Sequence, residues 1–257
     1  MLEKREIPLL EFDAFSKEMI DTHWEAREGC LPEKCLFLFL SEDKINEFLK
    51  EKNATPVVSF ESITKTFTAY TIDTGSEKIA VCHAPAGAPA AGMVMELLIG
   101  CGVTHILACG SCGSLEEIEE NAFVLVEKSL REEGTSYHYL PASRFVSADE
   151  AYNAKLEEAL KRKGYRYRKG TTWTTDAFFR ETQDKVQLRR EEGCSVVDME
   201  CAALLAIAKF RNVKFGQLLF TADSLADLEN YDIRNFGRDV WETAMAICFD
   251  VMKDITL

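Results

Sequence analysis

Apolar runs and amphipathic stretches alternate along this chain, and the alternation sets out its elements. Residues 35–40 read CLFLFL, an unbroken apolar run of the kind found in a strand buried on both faces. Ser41 follows as a helix cap, with Glu42 and Asp43 in the first turn, where the helix dipole favours acids. Strands are predicted over 57–60, 67–72 and 78–83. Small residues and two prolines then form a loop, and a helix runs over about 90–99. Residues 104–109 predict a strand that breaks at Gly110-Ser111-Cys112-Gly113, with another at 122–126. The polar and aromatic stretch 131–143 predicts an ordered loop. Residues 148–163 predict a helix stopped by Gly164, 165–173 a strand, and 182–192 a charged helix.

The stretch VVDMECAALLAIAKFRNVKFGQLLFTAD, residues 196–223, carries the most information. A short apolar strand leads into Asp198 and Glu200. A helix over 201–210, apolar nearly all round, ends at Asn212. A second buried strand, 213–220, leads to Asp223 just past its end. Two acids therefore sit at the edges of core, and the crevice beyond the strand ends of an open α/β sheet is where ligands bind. Each acid alone has a plain reading, since acids are common in first helical turns and in turns after strands. A last helix is predicted over 233–254 and an amphipathic N-terminal helix over 11–28.

Strands alternating with helices imply an α/β fold with a sheet covered on both faces. The length of 257 residues and the lack of a visible linker suit one domain over 1–257, with residues 1–30 as a helical N-terminal extension. The formal charge of −13 argues against nucleic acid or an anionic membrane as partner. No run of eighteen apolar residues and no signal peptide is visible, and the nine cysteines, many in apolar runs, read as reduced and buried. These features together predict a cytoplasmic protein.

Several motifs are weaker than they look. Cys109-Gly110-Ser111-Cys112 is a C-x-x-C, but it opens no helix and has no second pair for zinc. Its glycines matter more, because a Gly-rich strand-to-loop junction offers backbone N–H groups and the Ser111 hydroxyl to an oxyanion or a ribose. His83, His105 and His138 are scattered, and no spacing suggests a metal site. A G-x-S-x-G elbow is absent. Phe178-Phe179 would by default be core, though a ring on a pocket wall could stack on a planar base.

In this order and spacing, the segments resemble the nucleoside phosphorylase superfamily of uridine phosphorylases, hexameric purine nucleoside phosphorylases and methylthioadenosine nucleosidases. HAPAGAPAAGMVMELL is similar to the family's Gly-x-Pro-Ser loop and helix, and HILACGSCGSL to its phosphate-contacting Gly-Ser/Thr-x-Gly turn. REEGTSYHYLP resembles the uridine phosphorylase side. TTDAFF matches the segment whose Phe stacks on the base, at Phe178. VVDMECAAL matches the Met-Glu signature, at Met199 and Glu200. FTADSLAD matches the Ser-Asp motif of purine-acting members, at Asp223.

The resemblance implies a three-layer α/β/α fold with a mixed central sheet partly curled into a barrel. It implies cleavage of a nucleoside N-glycosidic bond, with inorganic phosphate as co-substrate in most members and no cofactor or metal. Glu200 would hold the ribose hydroxyls with Met199 and Ser111, and Asp223 would protonate the departing base beside Phe178. Gly110, Ser111, Gly113 and Lys44 would form the phosphate or water site. Phosphorolysis of a purine nucleoside or uridine, giving base and ribose-1-phosphate, is thus the first expectation. Hydrolysis by water and a non-catalytic nucleoside-binding relative are the alternatives.

The departures bear on that choice. Where phosphorolytic members carry Arg before the glycine turn, this chain has Ala108. Their Gly-Asp-Pro-x-Arg turn is here Ser41-Glu42-Asp43-Lys44. The Arg lent by a neighbouring subunit has Lys65 as its nearest counterpart. The resemblance also implies a homo-oligomer, a dimer or trimer of dimers, with His23 as a candidate lent residue.

Overall fold

The computed structural model of the chain describes residues 2, 4–21 and 29–256. Strand β1 (Lys34–Phe39) lies within a ten-stranded mixed sheet. It pairs in parallel with β4 (Lys78–His83) on one side and β5 (His105–Ser114) on the other. Beyond β4, β3 (Thr66–Asp73) and β2 (Thr55–Glu61) continue antiparallel. On the other side the sheet closes on itself. β5 pairs in parallel with β10 (Lys214–Ser224), which pairs antiparallel with β6 (Phe123–Glu132). β6 and β9 (Val196–Asp198) both pair in parallel with β8 (Arg168–Thr175), and β9 returns antiparallel to β5. β5, β10, β6, β8 and β9 thus form a five-stranded barrel, with β1 to β4 as an open wing. The short β7 (Phe145–Ser147) flanks β6.

Two apolar layers follow from the period-2 alternation of the strands. Cys35 and Phe37 of β1 face the core under α2 (Ala88–Gly100) and α6 (Cys201–Arg211). Leu36 and Leu38 face the core under α1 (Glu42–Glu51), α4 (Glu150–Arg162) and α7 (Trp241–Asp254). The expected three layers are present. A third, smaller cluster around Trp173 packs Val186 of α5 (Gln183–Glu191) against the barrel. Helix α6 stops where expected, because Asn212 takes a left-handed cap with φ of 55°.

Four expectations are revised. First, residues 11–21 form bends, not a helix, and residues 22–28, which include His23 and Arg27, lie outside the described residues. Asp13 Oδ1 accepts the backbone N–H groups of Phe15 and Ser16, a local turn that competes with helix, while Phe15 and Met19 stay exposed. Second, the strand at 104–109 does not break at Gly110: β5 remains extended and paired with β10 as far as Ser114. Third, β10 carries Asp223 inside the strand, not past its end. Fourth, the last helix begins at Trp241, because Arg234, Phe236 and Gly237 all take positive φ. The loop expected at 131–143 contains the short helix α3 (Ser136–Tyr139).

Candidate active site

The cavity lies where β5 changes partners. On one side β5 pairs with β1 only as far as Gly110, and β9 takes over at Gly113. Ser111 and Cys112 lack a partner strand on that side, and a cavity of about 720 Å³ opens there. Gly110, Ser111, Gly113, Phe178, Met199, Glu200 and Asp223 all line it. Residues far apart in sequence are therefore gathered at one split in the sheet, as open α/β folds gather ligand-binding groups. The expected glycine turn is strand paired with β10, and its edge toward the cavity has no partner strand at Ser111 and Cys112. Gly113 serves close approach: a Cβ there would lie 2.8 Å from Leu225 Cδ1 and 3.4 Å from Asp223 Oδ1.

Two acids share the start of α6 but do different work. Asp198 is fully satisfied. Its Oδ1 accepts the hydroxyls of Thr172 at 2.8 Å and Thr174 at 2.7 Å, and its Oδ2 accepts the N–H groups of Glu200 and Cys201. It anchors the helix N-terminus, which is the plain role of an acid there. Glu200 turns the other way, and its Oε1 accepts the Gly87 N–H at 2.6 Å. Gly87 has φ of 91°, a conformation glycine adopts without strain. Burial, and then the nearby Asp198 charge, push the Glu200 carboxyl up to about 8.

The opposite end of the cavity carries a second pair of carboxyls. Asp223 is buried, and its Oδ2 accepts the Tyr231 hydroxyl at 3.0 Å. Burial raises its pKa despite that hydrogen bond. Glu181, on the loop into α5, also lines the cavity, and burial together with the Asp223 charge raises it to about 8. Burial and their mutual repulsion both favour the protonated form of these acids. Phe178 reaches the cavity half-exposed, with Phe179 edge-on to it at 5.0 Å between ring centres and turned to solvent. Asp176 ties this segment to the 131–143 loop by accepting the Gly134 N–H.

Positive charge is scarce. Lys44 does not line the cavity: α1 carries it outward, where Glu47 and Glu242 hold its ammonium at 2.8 Å each. Lys65 does line it, but Glu42 pairs with it at 2.8 Å and His83 Nδ1 lies 3.2 Å away. Burial and the Lys65 charge lower the His83 pKa, which favours the neutral ring. Cys112, also in the lining, has its thiol pushed well up by burial and by Asp198 and Asp223, so it is no thiolate nucleophile. Among the described residues, no group of three or more His, Cys, Asp and Glu side chains is placed to hold a metal ion.

Residues 37–253 match the family model of the phosphorylase superfamily. The chain belongs to this superfamily. Among its relatives, a guanosine phosphorylase of Halorubrum lacusprofundi is 26% identical over 141 residues, covering 54% of this chain and 58% of that protein. The chain thus spans under two-thirds of that relative's length. A purine nucleoside phosphorylase from Toxoplasma gondii, solved with immucillin-H, shares the fold with a TM-score of 0.76 at 18% identity, over 93% of this chain and 98% of that one. An AMP nucleosidase from Bacteroides thetaiotaomicron does so with a TM-score of 0.69 at 20% identity, over 87% and 88%.

Two lining residues of this superfamily member are not visible as site residues in the sequence. Glu181 sits in the charged segment RETQDK, where an acid reads as a solvated surface group. Gln217 lies inside the apolar run of β10. The signal for Gln217 is its lone polarity in that run; for Glu181 there is none.

Proposed function

We propose that this protein is a nucleosidase that cleaves the N-glycosidic bond of a purine ribonucleoside with water as the acceptor. The observation that carries the reading is the charge of the cavity. Glu181, Asp198, Glu200 and Asp223 line it, against a single cation among the described residues, Lys65, itself paired with Glu42. A phosphate dianion would meet acidic side chains and little positive charge to compensate its own, whereas neutral water meets no such barrier.

In this reading Glu200 accepts hydrogen bonds from the ribose 2′ and 3′ hydroxyls, and its ionised fraction, which grows as pH rises toward 8, favours the positive charge that develops on the sugar. Phe178 faces the base. Asp223 gives its proton to the base as the C1′–N bond breaks and the electron pair leaves with the base. Water then bonds to C1′ and loses a proton to solvent, giving free ribose. The superfamily's members are phosphorylases and nucleosidases, and both acceptors suit the same cleavage.

Phosphorolysis is the second reading, favoured by Lys65 on the cavity wall and by the likeness to phosphorylases. Its expected second cation, Lys44, is engaged elsewhere.

The direct experiment is base release from a panel of purine and pyrimidine nucleosides, with AMP included. Cleavage of purine ribonucleosides ahead of uridine is expected. No release from any substrate, with nucleoside still bound, would leave a non-catalytic binding protein and sink the proposal.

A further inference from the structure

Gln217 interrupts an otherwise apolar stretch of β10. It is 2% exposed, and its Oε1 has no hydrogen-bond partner among the described residues. Even so, it lines the cavity. Alternation along β10 puts it on the same face as Phe215 and Leu219. The parallel register sets it beside Ala108 of β5, and the next β5 residue on that face is Gly110. A methyl group and a glycine therefore flank the amide on that face, and neither offers it a polar side chain. Buried polar groups in folded proteins are almost always paired, so an amide oxygen without a partner, on a residue that lines a cavity, calls for a ligand.

We propose that Gln217 binds the acceptor of the reaction, holding a water molecule so that a lone pair on its oxygen faces the anomeric carbon of the sugar. This rests on the hydrolytic reading above. Gln217 precedes Asp223 by six residues on one strand, roughly 20 Å of extended chain. The amide and the acid thus stand at opposite ends of the cavity, one for the acceptor and one for the leaving base. A carboxamide both donates and accepts, so it can hold water in either amide orientation. It is neutral, which suits a site already rich in carboxylates. It takes no proton: the water's proton passes to bulk solvent after C1′–O bond formation.

The test is Gln217→Leu in the full chain, with Gln217→Met as a second apolar replacement of a different shape. Four quantities are read: kcat for ribose release, KM, melting temperature, and the ratio of methyl riboside to ribose in a water–methanol mixture. The expected result is a fall in kcat of at least about tenfold with KM within about twofold. The methanol-to-water product ratio should change, because water is no longer the oriented acceptor. The melting temperature should hold or rise by about 2 °C, since an apolar group replaces an unpaired buried amide. Wild-type kcat and product ratio in both variants would overturn the proposal. So would a kcat loss accompanied in both by a melting temperature several degrees lower, which marks a structural role. The two levels of failure separate cleanly. Ribose from wild type with unaffected variants removes only the Gln217 assignment, whereas ribose-1-phosphate alone from wild type removes the hydrolytic reading itself.

Discussion

Glu200 and Gly87, 113 positions apart, are joined by a 2.6 Å hydrogen bond from the glycine N–H to the carboxyl. The bond links the start of α6 to the loop before α2 and fixes the Glu200 side chain at the cavity wall. Replacing Glu200 by Gln keeps a carbonyl acceptor for Gly87 but weakens charge-assisted bonds to ribose. Each such bond is worth about 1.5–3 kcal/mol, so nucleoside affinity should drop by one to two decades. Calorimetric titration with a purine nucleoside checks this, and unchanged affinity would remove Glu200 from the ribose site.

The same carboxyl makes stability depend on pH. Its folded pKa is raised from 4.5 to about 8 by burial, so the native state holds this proton more tightly than the unfolded chain does. That contribution is fully present below about 4.5 and is lost as pH rises toward 8, on the order of a few kcal/mol. Glu181 has the same sign and window. The melting temperature should therefore fall between pH 5 and 8, and Glu200→Gln should flatten the slope. Parallel slopes for the two proteins would show that Glu200 is already ionised throughout.

Asp223→Asn should slow purine nucleosides far more than a nitrophenyl riboside. Asn can accept the Tyr231 hydroxyl but has no proton to give the base. One general-acid contribution is worth roughly 10²–10⁴-fold. Single-turnover rates for both substrates check it, and equal slowing would argue against Asp223 as the acid.

Much of the fold was legible because burial writes itself into apolar runs. CLFLFL is β1, and the stretch from Val196 onward is strand, helix and strand, as its pattern implies. The cavity residues Met199, Glu200, Phe178 and Asp223 were legible from their segments. Three things were not. Lys44 follows the right strand, but the direction of its side chain depends on how α1 turns against α7, which spacing does not encode. The glycines after Ala108 suggest a turn locally, yet pairing with β10 keeps them extended. Glu181 becomes a half-buried acid only because the loop after β8 brings it near Asp223, a long-range event with no local trace.

We expect a homo-oligomer built on dimers. Phe15 and Met19 are 99% and 98% exposed on the N-terminal segment, where a second copy could cover them. Sedimentation at micromolar concentration should give a dimer or a trimer of dimers, and a monomer would contradict it.

The acceptor is the central question, and one measurement reaches it most directly. Initial rates of purine nucleoside cleavage are followed against phosphate concentration, with ribose and ribose-1-phosphate assayed separately. A cavity lined by four acidic side chains and, among the described residues, one paired lysine predicts free ribose at a rate indifferent to phosphate. Ribose-1-phosphate formed with saturation at micromolar phosphate would contradict the account and show that an anion site exists there.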